Sequence, residues 1–225
     1  MGISCSSETL DKLVLYWEYL QSKNKVMNLT AITDEVDAAR LHFLDCASLL
    51  KCEEFKGKHF IDVGTGAGFP GLVLKLLEPS IELTLFDSLE KRLFFLREVS
   101  EKLNLSGLYF VHGRAEEAGH EESLREKFDI AAARAVARLD LLCELCLPFV
   151  KPEGKFLAMK SLDTEYELNS ALPVAKALGA KFTSRFDYTI PGTDIRRLVY
   201  VFTKTESTQK CYPRRWTKLK KLYLV

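Results

Sequence analysis

Ten consecutive residues, Asp62-Val63-Gly64-Thr65-Gly66-Ala67-Gly68-Phe69-Pro70-Gly71, carry the most chemistry in this chain. They follow a short apolar run and precede a helical one. In such a loop, glycines let the backbone turn sharply and let a ligand approach where a side chain would stand. Asp87 lies 21 residues after Gly66, at the end of the next apolar run, where a carboxylate can accept both hydroxyls of a ribose. Loop and acid together predict a nucleotide-like cofactor. The spacing also satisfies the dinucleotide fingerprint, but Asp62 would face a pyrophosphate with like charge, whereas it can pair, directly or through water, with the ammonium of a bound amino acid. S-adenosylmethionine has that ammonium and no phosphate, so a methyltransferase is expected and a nicotinamide or flavin enzyme is the runner-up.

The residues that would serve a methyl acceptor are cationic. The region after the fourth apolar run reads Ala132-Ala133-Arg134-Ala135-Val136-Ala137-Arg138, with no Asn-Pro-Pro-Tyr-like run to hold an exocyclic amine. There is no Pro-Cys dipeptide to attack a pyrimidine ring. Arg134, Arg138 and Lys160 are the candidates, with Arg134 and Lys160 nearest the chemistry. A ring nitrogen such as guanine N7 offers a lone pair and no proton to remove, so it needs orientation and charge control rather than a general base. His42 is read as a partly buried, hydrogen-bonded histidine, and Cys143 and Cys146 as one buried helix face.

The elements that must position these groups follow from periodicity. Leu10, Leu13, Val14, Trp17 and Leu20 fall at helical spacing within a helix from Glu8 to Lys23, with Ser7 as its cap. A second amphipathic helix is expected from Asp34 to Leu50, capped by Thr33 and burying Val36, Ala39, Phe43, Leu44 and Ala47. Strands are expected at His59–Val63, Glu82–Phe86, Leu108–His112, Phe128–Ala132 and Lys155–Met159. They alternate with helices at Gly71–Leu77, Glu90–Leu103, Leu139–Leu147 and Glu165–Leu178. Lys181–Ile190 and Arg196–Thr203 have only a turn between them and should form an antiparallel hairpin. The fold class is therefore α/β, a doubly wound, mostly parallel seven-stranded sheet of the class I methyltransferase type. Residues 1–56 are a helical extension, 57–204 the cofactor domain and 205–225 a basic tail.

With 225 residues, 47% hydrophobic, the chain can bury a substantial core. It has no apolar run long enough for a membrane span and no signal-peptide pattern at its start, so a cytoplasmic protein is expected, its six cysteines reduced. Net charge is only +1, but no acid follows Glu206 while Lys210, Arg214, Arg215, Lys218, Lys220 and Lys221 interleave with Tyr212, Trp216 and Tyr223. Such a segment can neutralise phosphates and stack on bases.

Across most of its length the sequence resembles the glucose-inhibited division protein B family of small-subunit ribosomal RNA guanine-N7 methyltransferases. The matching segments are Asn28-Leu29-Thr30-Ala31-Ile32, His42-Phe43-Leu44-Asp45, Asp62 to Gly71, Phe86-Asp87-Ser88 with Lys91-Arg92, Gly113-Arg114-Ala115-Glu116-Glu117, Arg134-Ala135-Val136-Ala137, Lys151-Pro152-Glu153-Gly154 and Leu157-Ala158-Met159-Lys160. The resemblance implies that Gly64, Phe69, Ala115, Glu116 and Arg134 contact the cofactor. With the residues argued above, the cofactor set is Asp62, Gly64, Gly66, Gly68, Phe69, Asp87, Ala115, Glu116 and Arg134. The implied substrate is a guanosine of 16S ribosomal RNA within the small subunit, met by a monomer that needs no metal and no membrane. The alternative is a methyltransferase acting on another RNA, a protein or a small molecule. RNA contacts are expected from Arg138, Arg196, Arg197, Arg214, Arg215 and Lys218. The family's arginine-histidine pair is Arg196-Arg197 here, and its C-terminal run of glycine, proline and lysines is replaced by Arg214-Arg215-Trp216-Thr217-Lys218.

Overall fold

The structure, a computed structural model, describes residues 3, 5–134, 137–164 and 166–223. Ala135 and Val136, part of one family-like segment, and Glu165, the expected start of a helix, lie outside these residues.

Seven strands form one sheet: β1 (His59–Val63), β2 (Glu82–Asp87), β3 (Leu108–His112), β4 (Phe128–Arg134), β5 (Val150–Ser161), β6 (Ala180–Thr189) and β7 (Arg196–Lys204), in the order β3-β2-β1-β4-β5-β7-β6. The first five run parallel, and β7 is inserted antiparallel between β5 and β6. The parallel strands are nearly continuous apolar runs because helices cover both faces. One core layer gathers Leu72, Leu85 and Leu96 on one face, and the other gathers Leu142, Phe149 and Phe202. Strand order reverses between β1 and β4, and a crevice opens outside the carboxyl ends at that switch point. Gly64 and Arg134 are the first residue after β1 and the last of β4, so both border it.

The expected doubly wound sheet and C-terminal hairpin are present, and most boundaries agree to within two residues; β5 is longer, Val150–Ser161, and β4 runs on to Arg134. The N-terminal helices differ more. Helix α1 spans Ser7–Met27 with Ser6, not Ser7, accepting the Thr9 amide as its cap. Tyr16, Trp17 and Leu20 are its buried residues, while Leu10 and Val14 of the expected stripe are both 53% exposed. The second helical segment is not one helix. It runs as α2 (Glu35–Ala38), a π-helical stretch (Ala39–Leu44), α3 (Asp45–Ala47) and α4 (Leu49–Cys52), with Asp34 rather than Thr33 as its cap. Val36 and Ala39 face solvent. The wider turn shifts the face of the segment relative to α2, and His42 and Asp45 are both buried.

The remaining helices are α5 (Gly71–Leu77), α6 (Glu90–Lys102), α7 (Ala115–Ala118), α8 (Leu139–Cys146), α9 (Glu167–Ala177) and α10 (Trp216–Tyr223). The last corrects the reading of the C-terminus as a basic tail. Leu219 is wholly buried, and Arg214 grips the buried Glu144 of α8 through its backbone amide and its guanidinium, with the Tyr223 hydroxyl donating to the same carboxylate. Arg125 holds the approach to α10 by donating to the carbonyls of Gly119, Tyr212, Thr208 and Gln209. Arg214 is thus spent on internal neutralisation, which leaves less of its charge for the phosphate contact expected of it.

Burial alone would raise the Glu144 carboxyl, but the hydrogen bonds from Arg214 outweigh it and hold the group below the usual carboxylate range. A depressed folded-state pKa gives stability that is present above the unfolded value and lost as pH falls through the folded one. Arg214→Ala should therefore destabilise the protein by about 3 kcal/mol at neutral pH, because Glu144 is left buried without its cation. The difference from the wild type should shrink below about pH 4 as Glu144 protonates in both proteins. Chemical denaturation at both pH values checks this, and an equal difference at both would show that the pair is not the source.

Candidate active site

The glycine loop is fastened from three sides. Gly64 and Thr65 both donate their amides to the Phe86 carbonyl at 2.8 and 3.1 Å, which pins the loop to the end of β2. Asp62 Oδ2 accepts the Thr65 hydroxyl at 2.7 Å and the Gly71 amide at 2.9 Å, closing the loop on itself. From the N-terminal side, the buried Tyr16 hydroxyl of α1 donates to the Ala67 carbonyl. At the far side Asp87 Oδ2 accepts the Gly66 amide at 2.9 Å, while Oδ1 accepts that of Leu89 and Arg92 approaches at 3.2 Å.

Beneath the loop a polar chain runs from the N-terminal segment to the hairpin. Arg134 donates to Asp45 Oδ2 at 3.2 Å, to the Leu41 carbonyl at 3.0 Å and to His42 Nδ1 at 3.2 Å. An arginine can only donate, so His42 Nδ1 is an acceptor and the ring proton is on Nε2, which donates to Thr30 Oγ1 at 2.8 Å. Burial and then the Arg134 charge push the His42 pKa down to about 4, so this histidine stays neutral. Asp45 Oδ1 accepts the Tyr188 hydroxyl at 2.7 Å. Phe69 is stacked on His42, 4.4 Å between centroids, and carries the Arg134 guanidinium 5.1 Å above its ring.

Two cavities flank this chain. The first, about 430 Å³, is walled by the loop at Gly64, Gly66 and Phe69, by Asp87 and Arg92, and by Arg134 and His42. The second, about 370 Å³, lies toward the hairpin between Met159, Lys160, Tyr188 and Arg197, and shares Arg134 and His42 with the first.

The structure thus brings Gly64, Gly66, Phe69, Asp87 and Arg134 together around one cavity, as the sequence suggested. Others sit elsewhere. Gly68 does not face the cavity: a Cβ there would lie 2.5 Å from the Tyr16 hydroxyl and 3.2 Å from Leu72 Cβ, so this glycine is required by packing. Asp62 is fully buried beneath the loop. Ala115 and Glu116 open α7 beside β2, where Gly113 donates to the Asp87 carbonyl, but neither lines the cavity; Glu116 is paired with Arg114 at 3.0 Å. Lys160 lines the second cavity, but its ammonium is held by Glu167 at 2.8 Å and the Ala137 carbonyl at 3.0 Å. Arg138 pairs with Asp140, Arg196 is exposed, and Arg197 is half-buried in the second cavity wall. Arg215 and Lys218 are exposed at and just before α10. His42 takes the hydrogen-bonded role expected of it, while Thr30, Asp45, Arg92 and Tyr188 were not singled out for any role. Thr30, His42, Asp45 and Arg92 lie inside the family-like segments, which was the available signal.

A family model described as GidB, rRNA small subunit methyltransferase G, matches residues 9–186. A ribosomal RNA small subunit methyltransferase G from Alkaliphilus metalliredigens is 44% identical over 216 residues, 96% of this chain and 90% of that protein. The chain belongs to the rRNA small subunit methyltransferase G family. A further member, from Clostridium perfringens, is 41% identical over the same shares. Among solved structures, a methyltransferase from Pyrococcus furiosus aligns with a TM-score of 0.58 at 15% identity, over 87% of this chain and 99% of that one. TrmN from Thermus thermophilus aligns at 0.54 and 23% identity, over 71% and 48%. These two likenesses establish the methyltransferase fold. The family match stops before β7, so Arg196-Arg197 and α10 lie beyond it.

The two glycines give opposite expectations in this methyltransferase. Gly66 has a φ of 60° and open space where a Cβ would be, with only the Gly64 carbonyl within reach at 3.9 Å. Gly66→Ala should fold with a backbone cost of about 1 to 2 kcal/mol and lose most of its cofactor affinity, because the methyl group would enter the open space expected to take the ligand. Gly68→Ala should lose more stability, through the collision with Tyr16. Thermal melting beside calorimetric cofactor titration separates the two, and normal cofactor affinity in a folded Gly66→Ala protein would take the loop out of the site.

Proposed function

We propose that this enzyme transfers a methyl group from S-adenosylmethionine to N7 of a guanosine in 16S ribosomal RNA. The observation that supports the cofactor best is a single atom. Asp62 Oδ1 is buried with no hydrogen-bond partner among the described residues, and burial lifts the carboxyl to about pH 6 against the opposing bonds from Thr65 and Gly71. An unmet acceptor at the base of a glycine loop suits a cationic amino acid moiety, reached directly or through water, and is unsuited to a phosphate. With the open space at Gly66, the residues fit the group.

Gly64, Gly66 and Phe69 would line the cofactor, Asp87 would accept from its ribose, and Arg134 would close the inner wall. Ala115 and Glu116 would bound its adenine side from α7. The cofactor supplies an electrophilic methyl group on a sulfonium. The protein's part is to orient the acceptor and exclude water. Among the described residues, no general base is on offer at the shared wall. Asp45 is neutralised by Arg134 and Tyr188, and His42 is a neutral ring whose accepting nitrogen is occupied. A nucleophile that carries no proton, such as N7, is the acceptor this arrangement serves. Arg138, Arg196, Arg215 and Lys218 would meet RNA phosphates, and the substrate would be the small ribosomal subunit, modified in the cytoplasm by a monomer.

The sign of the pH dependence follows from Asp62. The ammonium pairs with a carboxylate and not with a carboxylic acid, so cofactor affinity should rise as pH increases through about 6, by up to tenfold per unit below it, and level off above pH 7. Single-turnover transfer at saturating cofactor should instead be flat from pH 7 to 9. Asp87→Ala should weaken cofactor binding by at least about 1.5 to 3 kcal/mol, the range for a lost hydrogen bond to a charged group, and also melt earlier, because the Gly66 and Leu89 amides lose their acceptor. Transfer of labelled methyl to a nucleoside other than guanosine, or a rate that climbs with one ionisation above pH 7, would overturn the assignment.

A further inference from the structure

The cavity on the hairpin side is bordered by no part of the glycine loop, and its walls differ from those of the first. We propose that it receives the base to be methylated, extruded from its RNA strand, and that Arg197 selects guanine there while Tyr188 positions the wall between donor and acceptor. This rests on the methyl-transfer reading above.

Position comes first. The two cavities share Arg134 and His42 and no part of the glycine loop, so a methyl donor in one and an acceptor in the other meet across that pair. Size comes next. At about 370 Å³ the chamber is near the lower end for ligand sites: room for one nucleobase and not for a helix. A ring nitrogen of a stacked, paired base cannot reach its floor, so the base must leave the stack. Apolar contact is available from Ile32, Leu41 and Met159.

Charge then narrows the guest. The carboxylate in the chamber wall, Asp45, has one oxygen on the Arg134 cation and the other on the Tyr188 hydroxyl, so its charge is already balanced within the wall and attracts a cationic amine less. What the wall offers is donors. Arg197 stands opposite Ser161 on one side and Tyr188 on the other in the strand register, and it lines the chamber. A guanine presents its O6 carbonyl beside N7; an adenine presents an amino group at the same place, and an arginine has no acceptor for it. Arg197 donating to O6 leaves the N7 lone pair free to face the shared wall. Tyr188 is a positioning residue: its hydroxyl acts on Asp45, which acts on Arg134.

The test uses the full chain and small ribosomal subunits prepared from cells lacking the methylation, with S-adenosylhomocysteine as the cofactor-site probe. Arg197→Gln should raise KM for subunits, or lower single-turnover transfer, at least about tenfold, with probe affinity and melting temperature close to the wild type. Arg197→Lys, which keeps the cationic donor that glutamine lacks, should recover part of that loss. Tyr188→Phe keeps the ring and removes the bond to Asp45, so kcat should fall several-fold with KM within twofold. Loss of probe affinity in parallel with turnover in Arg197→Gln, or unchanged turnover in it, would overturn the chamber's assignment, as would a KM effect alone in Tyr188→Phe. A wild type that binds the probe and methylates no guanosine in the subunits would instead remove the functional reading beneath it.

Discussion

A single buried cation organises this site. Arg134 stands at the carboxyl end of β4, where the strand order reverses, and its guanidinium touches every part that must be held in register: the π-helical stretch through Leu41 and His42, the start of α3 through Asp45, and the glycine loop through the Phe69 ring. Burying a charge costs more than its partner returns unless hydrogen bonds satisfy the rest of the group. Here the carboxylate, a carbonyl and a ring nitrogen do so. The return is geometry rather than stability, since a planar fork with fixed partners aligns segments that are 89 residues apart.

The N-terminal helices follow from that constraint. His42 and Asp45, three residues apart, both reach the guanidinium, and the π turn at Ala39–Leu44 shifts their face relative to that of α2, so the segment's apolar face no longer follows one period. Val36 and Ala39 consequently point to water although their spacing fits a buried stripe. Likewise α1 is seated by Tyr16, which reaches the glycine loop, and not by Leu10 and Val14. The extension is therefore part of the cavity beside the glycine loop, contributing Thr30 and His42 to its wall.

What was legible in the sequence was local. Alternating strands and helices, the loop between Asp62 and Gly71, and Asp87 at the end of its strand are patterns within a few dozen residues, and loop residues and Asp87 do border one cavity. What was not legible depends on contacts across the chain. Nothing near Tyr188 marks it as the partner of Asp45, 143 residues away. Glycine identity cannot separate Gly66, whose missing side chain leaves open space at the cavity, from Gly68, whose missing side chain makes room for Tyr16. Composition misled at the C-terminus for the same reason. A basic run looks solvated until the buried acid that neutralises one of its members is located, and Glu144 sits 70 residues before Arg214.

The antiparallel insertion of β7 has a geometric consequence for the second cavity. In a purely parallel sheet each strand begins at the edge opposite the crevice, so only strand ends can project side chains into it. Because β7 runs against β5, its first residues, Arg196 and Arg197, lie beside Ser161 at the end of β5, on the same edge as Arg134. The preceding strand, β6, ends there too, which brings Tyr188 next to Arg197. The turn between them passes close to the N-terminal segment, where a Cβ on Gly192 would come within 3.1 Å of Arg40 Nε. The parallel strands thus supply the cavity built by the glycine loop. The reversed hairpin closes the far side of the Arg134 wall with side chains that a sixth parallel strand would have placed at the opposite edge.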